Sequence, residues 1–141
     1  MTTSPIQDEC NCFALRQAAR YVTQLYERHM ASLNLTAAQF SILSKLNRLP
    51  GSTMLELADS MVMDRTTLVR ALKPLQRDGL IITEASEKDA RTFVFSLSDS
   101  GKTKLEAAYI AWKAAQNEFE NGFGQDRAKA LRTELFSVSA A

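Results

Sequence analysis

The sequence predicts a mainly α-helical domain carrying one small β-hairpin, and three observations predict it. Apolar residues recur at spacings of three and four over most of the chain, as in helices that bury one face. Capping signals of the form Thr-x-x-Gln and Thr-x-x-Glu stand at Thr36–Gln39 and Thr53–Glu56. Within 80–97, LIITEASEKDARTFVFSL, the pattern changes to an alternation of period two, which belongs to strands.

The totals bound what such a domain can be. With 141 residues the chain reads as one domain, large enough to bury roughly 70% of its unfolded surface without disulfides or metal. Its net charge is +1, so no global field points to nucleic acid or membrane, and any electrostatic case has to be local. No run of about 18 apolar residues exists, which excludes a spanning helix and leaves no membrane partner. MTTSPIQDE lacks the basic-then-apolar order of a signal peptide; with two cysteines, a cytoplasmic location with reduced thiols is expected. The chain also lacks a Gly-rich phosphate loop, a metal-ligand cluster, and a nucleophile with an evident base. It is therefore read as a non-enzyme with no metal and no cofactor.

The elements follow in order. Residues 1–9 are polar and expected to be flexible. From Cys10 a helix is predicted to end near Leu33 and Asn34; Leu15, Ala18, Val22, Leu25 and His29 fall on one face, Arg16, Arg20 and Glu27 on the other. Thr36 caps the next helix, Leu35 can staple to Phe40, and Phe40, Leu43 and Leu46 form its buried stripe until Pro50 and Gly51 stop it. Thr53 caps a short helix through Leu57, Ala58 and Met61. After a tight break Asp64 caps another, running to Asp78 with Gly79 as a left-handed end. LIITE and TFVFSL are the two strands; Phe93, Phe95 and Leu97 point one way, Thr92, Val94 and Ser96 the other. Ser98 caps a long helix whose face is Leu105, Ala108, Trp112, Ala115 and Phe119. Gly122 and Gly124 break it before a last helix with Leu131 and Leu135.

A short helix, a tight turn, a second helix and then a hairpin make a winged helix–turn–helix. The helix over 65–77 carries its chemistry. At 100° per residue Thr66, Arg70, Lys73 and Arg77 fall within about 60° of one another, and Leu68, Leu72 and Leu75 fall opposite. A helix entering the major groove needs that division, with apolar anchors behind and donors in front. Arg65, Thr66, Thr67 and Arg70 are placed to reach base edges, Lys73 and Arg77 to reach phosphates. Pro74 removes one backbone hydrogen bond and predicts a bend after Lys73. The loop 86–91 then reads as the wing. Lys88 and Arg91 can reach phosphates or the minor groove, with Asp89 holding the Arg91 guanidinium in a bidentate pair.

DRTTLVRALKPLQRDGLI (64–81) and DARTFVFSLSDSG (89–101) resemble the MarR family of bacterial transcription regulators, the second through its D-x-R, alternating strand, leucine, hydroxyl residue and glycine. LNLTAAQFSIL fits the family's second helix, and the resemblance spans about residues 10 to 138. It implies a winged-helix domain whose first and last helices interlock with a second copy in a triangular homodimer. It also implies Arg70 and its neighbours in the major groove and Arg91 in the minor groove. One departure is MVM (61–63), at a break where such proteins often carry a glycine.

These readings give one MarR-like winged-helix domain over 10–141. Its DNA-binding part covers about 36–97 and its dimerisation part about 10–34 and 98–138. The faces Leu15–Val22–Leu25 and Leu105–Trp112–Phe119 are long for so small a chain and call for a partner independently. A two-fold dimer would separate its reading helices by roughly 34–36 Å and favour a palindromic operator in double-stranded DNA. The function expected is a homodimeric, sequence-specific regulator, a repressor released by a small-molecule effector. Arg16, Arg20, Tyr26, His29, Phe40 and Trp112 are candidates to line a pocket for a small aromatic or phenolic ligand between the dimer helices and the winged domain. Thiol-based sensing by Cys10 and Cys12 is the alternative. A helix N-terminus favours thiolate, Asp8 and Glu9 oppose it, and the two thiols point about 160° apart if both are helical. A winged helix that binds RNA or protein is the rival of a different class.

Overall fold

The computed structural model describes residues 8–140. Its elements, in chain order, are α1 (Asn11–Met30), a 3-10 turn (Ala31–Leu33), α2 (Ala37–Arg48), β1 (Ser52–Thr53), α3 (Met54–Met61), α4 (Arg65–Arg77), β2 (Ile81–Ala85), β3 (Phe93–Leu97), α5 (Asp99–Phe123) and α6 (Gln125–Ser139). The fold is mostly helical with one small antiparallel sheet, as predicted. Of the segment expected to be flexible, residues 1–7 lie outside the described residues, whereas Asp8 and Glu9 are already helical.

Local chemistry accounts for most of the boundaries. Both predicted capping boxes form. The Gln39 amide N–H donates to Thr36 Oγ1 at 3.1 Å and the Thr36 N–H to Gln39 Oε1 at 3.1 Å, with Thr53 and Glu56 making the same reciprocal pair. Leu35 and Phe40, the predicted staple, are both buried. The α4 C-terminus closes as a Schellman motif: Leu80 N–H donates to Leu75 O at 2.9 Å and Gly79 N–H to Gln76 O at 3.1 Å, with Gly79 at φ 72°. The α3 C-terminus repeats that geometry with a valine. Val62 sits at φ 52°, ψ 45°, Met63 N–H donates to Ala58 O, and Val62 N–H reaches Asp59 O. The turn without glycine is thus built, on a β-branched residue in a left-handed conformation.

Four boundaries differ from the sequence reading. The first α-helix stops at Met30, because the chain tightens into the 3-10 turn before Asn34 turns left-handed at φ 54°. The helix α4 runs without interruption through Pro74, so the expected bend does not divide it; Pro74 lies in the last turn, where its carbonyl still accepts from Asp78 N–H at 3.0 Å. Gly122 stays inside α5, and Gly124 alone, at φ 105°, turns the chain back as α6. A third strand, β1, adds to the hairpin in the order β1-β3-β2, with Ser52 opposite Phe95 and Thr53 opposite Val94.

The core lies between α2, α3, α4, the inner face of the sheet and the start of α5. Ile42, Leu43, Leu46, Leu57, Leu68, Leu72, Leu75, Phe95, Leu97 and Leu105 are its main members. Packing is tight where α5 begins. Ser98 Oγ donates to Gly79 O at 2.6 Å, and a Cβ at Gly101 would stand 2.1 Å from Leu80 O. Outside this core α5 packs along α1. A polar ladder joins the two: Tyr26 donates to Gln116, and both Arg28 and His29 meet the Glu118 carboxylate, at 3.2 Å each. Arg28 first and His29 second hold the Glu118 carboxyl below its ordinary range.

Candidate nucleic-acid interface

Asp64 starts the element that matters most. Its Oδ1 accepts the Thr67 N–H at 2.7 Å, and that backbone bond, more than Thr67's side chain or the Arg70 charge, lowers the carboxyl's pKa. From this cap α4 divides by side. Leu68, Leu72 and Leu75 are buried, whereas Arg65, Thr66, Thr67, Arg70, Lys73 and Arg77 are all exposed. Arg65, Arg70 and Lys73 form no ion pair with any described residue; Arg77 Nε lies 3.2 Å from Asp78 Oδ1. Arg70 and Lys73 therefore stand without an ion-pair partner on the outward stripe of a core-anchored helix, with Arg65 exposed on its first turn.

The wing stands beside it. Ser86 N–H donates to Thr92 O at 2.7 Å and closes the loop. Lys88 and Arg91 are exposed, the Arg91 side chain at 95%. The expected bidentate clamp on Arg91 is not what Asp89 makes. Its Oδ1 accepts the Arg91 backbone N–H at 3.0 Å, its Oδ2 accepts the Thr92 hydroxyl at 3.4 Å, and the guanidinium Nε stays 3.8 Å away. An aspartate two residues before a turn's amide bonds that amide more readily than a long, solvated side chain. Asp89 thus shapes the loop and holds the guanidinium only in a loose, exposed ion pair. A link the sequence reading missed ties wing to helix: Gln76 Nε2 donates to Thr83 Oγ1 at 3.3 Å. Its partners lie on different elements, and no motif marks them.

The six residues read as pocket candidates line none of the described clefts of the single chain. Arg16 and Arg20 are exposed on the half of α1 that precedes its buried end. Tyr26 and His29 are engaged by Gln116 and Glu118, and burial is the first cause of the raised pKa of Tyr26. Phe40 is in the core and meets Tyr109 edge-on at 5.8 Å; Tyr109 in turn meets Trp112 at 6.4 Å. A cleft of about 400 Å³ between the α2 start, the α4 end and α5 is lined by Asn34, Gln39, Arg77 and Lys104 among others, and by none of the six. Cys10 is the N-cap of α1 rather than a helical residue: it is extended, and its Sγ accepts from Phe13 N–H at 3.4 Å. Cys12 is helical and exposed, so the 160° separation expected for two helical cysteines does not apply. Among the described residues no helix is long and apolar enough to cross a membrane, and no group of His, Cys, Asp or Glu is gathered for a metal ion.

A basic, core-anchored helix flanked by a hairpin that presents Lys88 and Arg91 defines a winged helix–turn–helix DNA-binding protein. The MarR family model matches residues 35–93, the segment from just before the α2 cap to the first residue of β3. An organic hydroperoxide resistance transcriptional regulator of Bacillus subtilis is 31% identical over 97 residues, which is 69% of this chain and 66% of that one. The Mycobacterium tuberculosis (M. tuberculosis) regulator MosR, solved in complex with DNA, is 34% identical over 92% of this chain and 93% of its own, with TM-score 0.82. The repressor CouR bound to a 23-mer DNA duplex is 26% identical over 99% of both chains, with TM-score 0.87; it has also been solved bound to p-coumaroyl-CoA. The chain belongs to the MarR family: it is a DNA-binding transcription regulator, as its relatives are, and not an enzyme.

Proposed function

We propose that the chain acts in the cytoplasm as a homodimeric, sequence-specific repressor that leaves its operator when a small molecule binds. The observation that carries this reading is the two-sidedness of α4, with leucines buried behind and unpaired cations with hydroxyls in front. Thr66, Thr67, Arg65 and Arg70, near the helix N-terminus, are assigned to base edges, Lys73 and Arg77 to phosphates. Arg91 enters the minor groove and Lys88 the adjacent phosphates, while Asp89 keeps the loop in shape. Dimerisation is supported by apolar side chains left uncovered on α1, α5 and α6, among them Leu15, Ile110, Phe136 and Val138. Two-fold symmetry then makes the operator palindromic.

Effector release is supported by the CouR neighbour, which takes an aromatic acyl ligand. Arg16 and Arg20 lie on the uncovered half of α1, so a pocket using them with Tyr26, His29, Phe40 and Trp112 would be completed by the second copy. A second reading has its own observation. The Cys10 thiol touches the first turn of α1 through Phe13 N–H, and the Bacillus subtilis relative is named for organic hydroperoxide resistance. In that reading oxidation of Cys10, with Cys12 as its neighbour, disturbs α1 and releases DNA.

Selection of duplexes from a random pool tests the primary reading, which expects an enriched palindrome. Arg70→Ala should then lose about 1–3 kcal/mol and relax preference at one base position. No enriched sequence, or equal retention by Arg70→Ala and wild type, overturns it. For the thiols, mild peroxide should release DNA from wild type and not from a Cys10→Ser, Cys12→Ser double variant; equal behaviour ends that reading.

A further inference from the structure

The wing carries one large apolar side chain that the core does not use. On β3 the inner-face residues are Phe93, Phe95 and Leu97, opposite Ala85, Thr83 and Ile81 on β2. Phe95 and Leu97 are 4% and 6% exposed, and Phe93 is 58% exposed. Alternation alone puts all three rings and chains on the side that packs inward. The body ends before Phe93, whose cross-strand partner is only an alanine. Phe93 belongs to no core cluster and stacks on no described aromatic ring. Its face is also the side of α4, since Thr83, the next inner residue of β2, is bonded to Gln76 of α4. Phe93 therefore lies exposed on the wing, two residues after the exposed Arg91 and on the hairpin face from which Thr83 reaches α4.

We propose that Phe93 is a further DNA contact, packing its ring on the deoxyribose rim of the minor groove that Arg91 enters. This rests on the reading of α4 and the wing as the DNA-facing surface. Arg91 lies in the turn of the wing and Phe93 opens β3 two residues later, a separation of at most roughly 7 Å. The minor groove is about 6 Å wide, so a side chain that far behind the arginine lands on the groove's edge. That edge presents the C–H groups of the sugars, which an aromatic face covers by removing apolar surface from water. Such a contact neutralises no phosphate and releases no counterion, so it adds affinity without adding salt dependence. Its role is to fix how deeply the wing sits, while Arg91 supplies the charge.

The wing contains its own control. Ile82 is 41% exposed, pairs with Ser96, and points to the opposite face of the same hairpin. Full-length wild type and the variants Phe93→Ala, Phe93→Leu, Ile82→Ala, Arg91→Ala and Arg70→Ala are titrated against the duplex enriched from the random pool, across a salt series. Phe93→Ala should weaken binding about tenfold with the slope of log affinity against log salt unchanged. Phe93→Leu should keep most of the affinity, Ile82→Ala should bind as wild type, and Arg91→Ala should flatten the slope. Undiminished affinity in Phe93→Ala, a flattened slope, or an equal loss in Ile82→Ala overturns the sugar contact. If the two arginine variants lose affinity and Phe93→Ala does not, only this inference falls. If neither arginine variant loses affinity, the DNA-facing reading falls, and this contact with it.

Discussion

Val62 and Gly79 occupy the same left-handed position at the ends of α3 and α4, at φ 52° and φ 72°. A β-branched residue there forces Cβ against the following carbonyl, at a cost of about 1–2 kcal/mol that glycine avoids. Val62 is 75% exposed, so its removal leaves no cavity. Allowing for glycine's greater freedom in the unfolded chain, Val62→Gly should raise stability by about 0.5–1 kcal/mol in urea unfolding. An unchanged or lower midpoint would mean that the valine is not strained. Gly101 gives the opposite expectation. A methyl group there meets the Leu80 carbonyl oxygen at 2.1 Å, and that oxygen already accepts the Ser98 N–H at 3.1 Å. Backbone has to move to admit it, so Gly101→Ala should lower stability by about 1–3 kcal/mol or more. Wild-type unfolding in that variant would show that the start of α5 shifts freely against the base of the wing.

At the scale of elements, α4 depends on its cap and so on pH. Both Asp64 and Glu118 have lowered pKa values, the first through the Thr67 amide, the second through Arg28 and then His29. A group whose folded pKa is depressed stabilises the fold above its unfolded value, about 4 for a carboxyl, and that contribution disappears as pH falls through the folded value. Thermal midpoints should therefore be flat near neutrality and fall below about pH 4. Asp64→Asn, which keeps a capping oxygen, should fold at neutral pH and lose part of that acid dependence, whereas Asp64→Ala should be less stable at every pH. Identical acid profiles in wild type and Asp64→Asn would remove the cap from this account. The cap itself was legible in the sequence, as were both capping boxes and the hairpin, because each is written within a few consecutive residues. The two-sided stripe of α4 was legible for the same reason, since one period of 3.6 fixes it. What the sequence hid is what distant residues decide. Two residues become β1 only because β3 offers them an edge. Gly122 and Gly124 look alike locally, yet only the second turns left-handed. The Glu118 carboxylate meets Arg28 and His29 across 90 and 89 positions. Asp89 bonds a nearby amide at 3.0 Å and the guanidinium only loosely at 3.8 Å, because short-range geometry outcompetes a flexible ion pair.

In the whole molecule the core is built mainly by the winged part, joined by the end of α1 and the start of α5, while much of the long helices lies outside it. The first half of α1 is exposed, and Ile110 on α5 and Phe136 and Val138 on α6 face water at 70% or more. Isolated apolar side chains on a surface need no explanation, but these recur along three helices on stretches that lie outside the core. Removing them from water requires a second surface of the same kind, and a two-fold axis supplies one without any new sequence. Light scattering during gel filtration should give twice the chain mass. Ile110→Glu is the variant of choice, because a residue 77% exposed in the single chain can be charged without unfolding it. It should elute as a folded monomer, with its melting transition lowered and made independent of concentration, where that of wild type rises with concentration. Its affinity for the full palindrome should fall at least about a hundredfold, because two linked half-site contacts become one. Affinity for an isolated half-site should be unchanged, since α4 and the wing are untouched. A monomeric wild type, or an Ile110→Glu variant that stays dimeric and holds the palindrome equally well, would separate the two-fold pairing from DNA recognition. In that case each chain would have to read its site alone.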